Sequence, residues 1–488
     1  MNNVYSVIDE LIAYAKANLG LHPRDEDYVK NSIIRLLKLE AYEPSPIQTC
    51  KYSTPEKLLE KFMKACVEAG VFPLEETEYY CDAVMGELMR SPKEIEDEFY
   101  KIYEKSGKDA TEWFYDYSVK SDYVKKTKLD KNPRFDSNGL IVTINLAKPE
   151  FRDPKKAQSG NSVKGGYPKC TICHQNEGFA GRNKRTLRTI NLTLGGEKWF
   201  WQFSPYGYFY QHGIAVNYEH TPMHVDKGTF TRLLDFVDQF PHYFIGCNAP
   251  LPRIGGSVLA HDHYQGGGEI LPMHKAGAAY TLKNPHFPDA IAEVVDWPST
   301  VIRIVSQNRN AIEEICSAIN DKWVNYNDEA CGIVASDKDG NHNATSPTVV
   351  KTERGYEMSV LLRSNLTSEQ YPDGIFHAHP EFHVIKKESI GLIEAQGLFI
   401  LPGRLVKELD EVENCIVNGV PLSEELSQFN NVYEEIKTLC NGDNSKESIK
   451  KATREELGSV CARILENTAV FKRKEKTVEF LKELGFEL

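Results

Sequence analysis

The sequence predicts an α+β protein, and three observations carry that expectation. Residues 1–125 show apolar side chains at helical spacing. From about residue 132 the chain alternates β-branched and aromatic runs with Gly and Pro turns. From about 291 a strand, helix and strand order partly recurs, as a second, diverged copy of one unit. The chain divides into a helical N-terminal extension (1–125), a first strand-and-helix unit (126–290) and a second such unit with a helical tail (291–488). A length of 488 residues suits two or three domains.

In VYSVIDELIAYAKANL, the residues Val4, Ile8, Leu11, Ile12 and Ala15 fall on one helical face. VKNSIIRLLKLE and PEKLLEKFMKACVEAG repeat the pattern. Nothing in this region carries chemistry, so it reads as an accessory layer. Lys120 to Lys131 is charged and reads as a linker. GLIVTINLA then follows the turn residues Asp136, Ser137, Asn138 and Gly139, as a strand should. After a Gly/Lys-rich loop come RTINLTL, KWFWQF and YFYQHGIAVNY, separated by Gly195-Gly196 and by Ser204-Pro205-Tyr206-Gly207. They predict an antiparallel meander. GTFTRLLDFVDQF reads as a helix, GGSVLAHDHYQGGG as a strand between glycines, and AIEEICSAINDKW as a helix of the second unit. Residues 405–488 are charged and mostly helical.

Composition removes several functional classes. Lys+Arg 58 against Asp+Glu 70 gives net charge −12, which opposes a broad footprint on nucleic acid but leaves room for a local phosphate pocket. Mean hydropathy is −0.45 and no apolar run reaches 18 residues, so no membrane span is expected. The opening MNNVYSVIDE lacks the pattern of a signal peptide, and eleven scattered cysteines suit a reducing cytoplasm. The chain has no GxxxxGK[ST] loop and no clear dinucleotide fingerprint.

Three segments carry chemistry. On a strand, His261, His263 and Gln265 of AHDHYQ project from one face, with glycines on either side that admit a ligand. The alternative is a polar sheet face. Cys170 and Cys173, with two residues between them, suit one edge of a tetrahedral zinc site whose other ligands must be histidines: His174, His220, His224 and His261 are candidates. The alternative is a pair of free thiols. In FHAHPEFH, alternation would place His377, His379, Glu381 and His383 on one face, as a metal or phosphate site or as a polar edge strand that Pro380 interrupts. The aromatic run from Trp199 to Tyr210 reads as sheet core rather than a base-stacking platform.

Taken together these segments resemble the galactose-1-phosphate uridylyltransferases, a branch of the histidine-triad superfamily. HDHYQ is similar to the family's HxHxQ motif and CTIC to its metal CxxC. YEHTPMH resembles the segment holding a further His ligand, GCNAPLPRIGGS the nucleotide loop, and FHAHPEFH the His pair of the second half. NPRFDSNGLIVTINLAKPEFRDP resembles the family's N-terminal segment. Asp262 and the helical extension resemble the second, Firmicutes-type class. The resemblance implies two histidine-triad-like antiparallel half-barrel units with flanking helices. It also implies ping-pong transfer of UMP from UDP-glucose to galactose 1-phosphate through a uridylyl-His263, with Gln265 donating to a phosphoryl oxygen. Cys170, Cys173, His220 and His261 would hold a structural zinc, with His224 or His174 as substitutes for His220. Asn248, Arg253 and Ser257 would lie near the phosphates and Glu394 near the hexose hydroxyls. His377 and His379 would mark a possible second metal. A cytoplasmic homodimer without nucleic-acid or membrane partners is implied. The competing readings are another histidine-triad nucleotidyl transferase or phosphorylase, a zinc-stabilised nucleotide-binding protein, and a metallohydrolase using HxH as ligands.

Overall fold

Gly195 and Gly196 both have positive φ (60° and 74°), the two-residue turn whose twist matches paired strands. They join β3 (Ile190–Leu194) to β4 (Glu197–Phe203), and β5 (Gly213–Asn217) completes the expected meander. A helix over Lys227–Gln239 follows, capped by Asp226, whose carboxylate accepts from the Thr229 amide at 2.9 Å. Then come β6 (Phe244–Gly246) and β7 (His263–Gly267). The second unit repeats this order. β8 (Ala278–Lys283), β9 (Ala290–Val295) and β10 (Val301–Ser306) precede a helix over Arg309–Val324. A short hairpin of β11 (Ser336–Asp337) and β12 (Gly340–Asn341) leads into β13 (Asn343–Thr352) and β14 (Gly355–Ser364). This computed structural model describes residues 2–46, 49–146, 166–256, 258–338 and 340–488.

The units join edge to edge. The sheet order is β3-β4-β5-β7-β6-β13-β14-β10-β9-β8, antiparallel throughout, and each unit has the same connectivity about the β6–β13 seam. The repeat that the sequence shows only faintly is thus a topological one. The second run of strands begins with β8 at Ala278.

One face of this sheet is covered by the two helices named above. They bury Phe230, Leu233, Phe236, Ile312, Ile319 and Trp323 with Trp199, Trp201 and Tyr264 from the strands. The N-terminal helices share this core: Phe114 packs on Phe203 at 5.1 Å, and Asp82 accepts from the Arg185 amide at 2.8 Å. The segment expected as a linker is folded into this layer, with a short helix over Lys126–Leu129 and Lys125 N–H donating to the Pro205 carbonyl at 3.0 Å. On the opposite face lies a small sheet in which β2 (Leu140–Asn145) pairs with β1 (Arg134–Ser137) and, in parallel, with β15 (Leu398–Pro402). Tail helices over Leu405–Asn418, Asn430–Cys440 and Lys446–Thr468 close this side. Among the described residues no helix is long and apolar enough to cross a membrane.

Candidate active site

Strand β7 delivers the central side chains. Its alternation separates Tyr264, which stacks on Trp199 at 4.7 Å in the helix-covered core, from His263 and Gln265 on the opposite face. His261 departs from the expected arrangement. It precedes the strand, which begins only at His263, because it is drawn away toward the two cysteines.

Those cysteines form a compact cluster. Cys170 Sγ lies 3.4 Å from Cys173 Sγ and 3.2 Å from His261 Nδ1, and Cys173 Sγ lies 3.2 Å from His220 Nδ1. All four ligand atoms fall within 4.8 Å of one another, and Cys170, Cys173 and His261 are buried. A tetrahedral metal with metal–sulfur bonds of about 2.3 Å and metal–nitrogen bonds of about 2.0 Å separates its ligand atoms by roughly 3.3–3.8 Å, so the set fits. The His261 Nε2–H donates to the Asn217 carbonyl at 2.8 Å, which turns the Nδ1 lone pair toward the thiols. The thiols divide the charge between them. The Cys173 pKa is pushed well down, chiefly by the hydrogen bond from Cys170 and then by His261 and His220, while that of Cys170 is held up by the same bond to Cys173. His174 and His224 lie outside the cluster. His174 stacks on Tyr218 at 3.9 Å, and His224 Nε2 lies 3.2 Å from Arg232.

His263 is 5% exposed, and burial pushes its pKa down to about 4, so the ring is neutral at pH 7. Its Nδ1 lies 2.8 Å from the His261 carbonyl, which can only accept; Nδ1 therefore carries the proton and Nε2 keeps its lone pair. The Gln265 Oε1 lies 3.3 Å from Nε2 of His212, a residue the sequence reading did not single out. The pairing of Ile214 with Gln265 creates that contact, and only the strand register could reveal it.

Other expected residues gather at the seam. β6 ends at Gly246 opposite Gln265, so Asn248 lies toward the His263 end of β7. Its Oδ1 accepts from the Leu392 amide at 2.8 Å, and its Nδ2 has no partner among the described residues. Glu394 is buried and paired at 3.1 Å with Lys386 Nζ, itself buried and likewise not singled out. Glu394 and Glu388 raise the Lys386 pKa against its burial, so the amine stays charged. Arg253 Nη2 donates to the Asn365 carbonyl at 3.0 Å, from a backbone at φ 70°. Ser257 lies outside the described residues.

FHAHPEFH is not a strand. Pro380 opens a 3-10 turn over Pro380–Phe382, and the four side chains do not share a face. His377 Nδ1 contacts the Ala378 carbonyl at 3.2 Å, His379 Nε2 the Ile375 carbonyl at 3.0 Å, and His383 Nε2 the Ala378 carbonyl at 2.9 Å. Each ring spends a nitrogen on the backbone. Among the described residues no third ligand joins them, and the Cys/His cluster is the one grouping able to hold a metal. The aromatic run is largely core, as expected: Trp199, Phe200, Trp201, Phe203 and Phe209 are buried.

Comparison with known proteins places this arrangement. The model for the galactose-1-phosphate uridyl transferase N-terminal domain matches residues 21–222, and the C-terminal domain model matches 236–431. The chain is thus a nucleotidyltransferase. It is 54% identical to a galactose-1-phosphate uridylyltransferase of Bifidobacterium longum, over 100% of this chain and 99% of that one. It is 36% identical to one of Caldanaerobacter subterraneus, over 98% of each. This chain belongs to the galactose-1-phosphate uridylyltransferase family. A solved structure, yeast Ap4A phosphorylase, is similar only distantly: TM-score 0.33 and 11% identity, over 58% of this chain and 82% of that one.

Proposed function

We propose that this chain exchanges UMP between UDP-glucose and galactose 1-phosphate by double displacement on His263. The observation that carries the reading is the fixed tautomer of His263: Nδ1–H is held by the His261 carbonyl and Nε2 has no partner among the described residues. A neutral imidazole is a nucleophile at pH 7 and needs no separate base.

In the first half-reaction His263 Nε2 attacks the α-phosphorus of UDP-glucose. The N–P bond forms, the P–O bond to the β-phosphate breaks, and glucose 1-phosphate leaves with the electron pair. The His261 carbonyl stabilises the positive charge the ring acquires, because its hydrogen bond from Nδ1–H becomes charge-assisted. A Gln265 N–H donates to a nonbridging phosphoryl oxygen as charge redistributes. In the second half-reaction a phosphate oxygen of galactose 1-phosphate attacks the same phosphorus. The N–P bond breaks and UDP-galactose leaves. An amide cannot act as an acid, which suits transfer between sugar phosphates better than hydrolysis. Asn248 and Arg253 stand near the phosphates in this reading, and Glu394, oriented by Lys386, near the hexose.

Cys170, Cys173, His220 and His261 would hold zinc, whose thiolate and imidazole preference the donor set matches. Bound there it would serve a structural purpose, holding His261, two residues before the nucleophile, to the 170–173 loop. The free state of all eleven cysteines supports a reducing cytoplasm, and the family resemblance supports a homodimer. Incubation with UDP-glucose labelled in the uridine tests the proposal. Acid-labile, base-stable label should appear on the protein and leave as UDP-galactose when galactose 1-phosphate is added. Binding of label without covalent capture would instead indicate a nucleotide-binding protein.

A further inference from the structure

We propose that His212 is a positioning residue that fixes which way the Gln265 amide faces, so that its N–H rather than its C=O is presented to the reacting phosphorus. This rests on the reading of His263 and Gln265 given above.

The Tyr208 amide N–H donates to His212 Nδ1 at 3.3 Å, and a backbone amide can only donate. Nδ1 is therefore the acceptor, and a neutral His212 carries its proton on Nε2. That nitrogen lies 3.3 Å from Gln265 Oε1. A donor meets the amide oxygen, so the Gln265 NH₂ must point away from His212, on the face shared with His263. A flipped amide would set two donors against each other here and offer a carbonyl oxygen to an anionic phosphoryl oxygen.

His212 is built to stay in this state. It is buried, with Phe209 at 4.4 Å and Tyr208 at 5.1 Å between ring centres. Burial pushes its pKa down to about 4, against the small upward effect of the Gln265 contact, and this keeps the ring neutral. Its backbone is pinned on both sides: the His212 amide donates to the Phe209 carbonyl at 3.1 Å, and the Ser204 amide donates to the His212 carbonyl at 2.8 Å. Gln211, just before it, takes the left-handed conformation (φ 57°). A side chain at Gly267 would come within 2.5 Å of the Gln211 carbonyl oxygen, so only glycine lets β7 approach this turn closely enough. A mobile glutamine side chain thus has a rigid neighbour that selects one of its two amide orientations.

The test is a double-mutant cycle on the full-length enzyme, read by single-turnover uridylylation from UDP-glucose. His212→Leu should slow the step roughly tenfold or more, part of the loss expected for a whole oxyanion donor, with little change in UDP-glucose binding. His212→Gln, which can again offer an N–H, should recover much of the rate. In the Gln265→Ala background, His212→Leu should cost nothing further, because there is no amide left to orient. An equal loss in both backgrounds would show that His212 only supports the fold, and the proposal would be wrong. If Gln265→Ala alone leaves the rate unchanged, Gln265 is not at the phosphorus and the proposal falls with that placement, while label captured on His263 would still support the functional reading. Should His212→Leu not fold, histidine ¹⁵N shifts of the native enzyme decide. The Nε2–H tautomer of His212 is expected, and an Nδ1–H tautomer overturns the proposal.

Discussion

Replacing Cys173 by Ser, alone and together with Cys170→Ser, should strip the metal and lower stability and turnover together. The four ligand atoms lie within 4.8 Å, and the two sulfurs, 3.4 Å apart, cannot both be thiolates without a cation between them. A site filled at 1,000 times its dissociation constant adds about 4 kcal/mol to the folded state. An unfolding entropy near 2.1 cal/mol/K per residue gives about 1 kcal/mol/K for 488 residues. The helix-covered core draws on residues from Val4 to Phe486, and the tail helices pack in a second core on the other face of the same sheet, so the two are taken to melt together. Metal loss should then lower Tm by about 4 °C. Turnover should fall further, because the His261 carbonyl that holds His263 Nδ1–H belongs to a residue of the Cys/His cluster. Metal content by mass spectrometry, calorimetric melting and exchange rate, with and without chelator, check this. One zinc per chain retained in the double variant, or an unchanged Tm, would refute the reasoning.

Gln265→Ala should slow both half-reactions by about 10²–10³, with much smaller loss of UDP-glucose affinity, in single-turnover and binding measurements. Arg303 is buried, with Glu293 at 2.9 Å and Glu357 at 3.7 Å. Arg303→Met would leave Glu293 and Glu357 with the partly exposed Arg354 as their remaining cation, so it should cost less than the about 3–5 kcal/mol of an uncompensated buried charge, a fall in Tm of up to about 3 °C by calorimetry. Burial holds the pKa of His212, His274 and His377 at about 4 in the folded chain. The unfolded chain takes up these protons near pH 6.5, so their stabilising effect is full above that value and lost as pH falls toward 4. Each adds a slope of up to about 1.4 kcal/mol per pH unit. Melting temperature should fall steadily from pH 6.5 to 4.5, and a flat profile would contradict the burial argument.

Much of the site was legible because it is local. The CxxC spacing and the alternation of His263 with Gln265 need only neighbouring residues, and Gly195-Gly196 dictates its own hairpin. What was hidden depends on distant segments. β15 pairs in parallel with β2 across more than half the chain, and nothing in GLIVTINLA announces that partner. His212 and Lys386 gain their meaning from contacts made through the ladder and through a loop, not from local pattern. His261 was read onto the strand because alternation alone cannot register that its Nδ1 is claimed by the thiols of a loop 91 residues earlier. In FHAHPEFH the alternation stops where Pro380 removes a backbone donor and ends any ladder, leaving the histidines to bond main-chain carbonyls instead.

The central claim is that UMP passes through His263, and locating the covalent group tests it most directly. The enzyme is incubated with UDP-glucose alone, quenched at alkaline pH, digested and mapped by tandem mass spectrometry. A single uridylyl group is expected on His263, absent in His263→Gly and lost from the native enzyme on brief addition of galactose 1-phosphate. A uridylyl group on another residue, or exchange at native rate by His263→Gly, would contradict it.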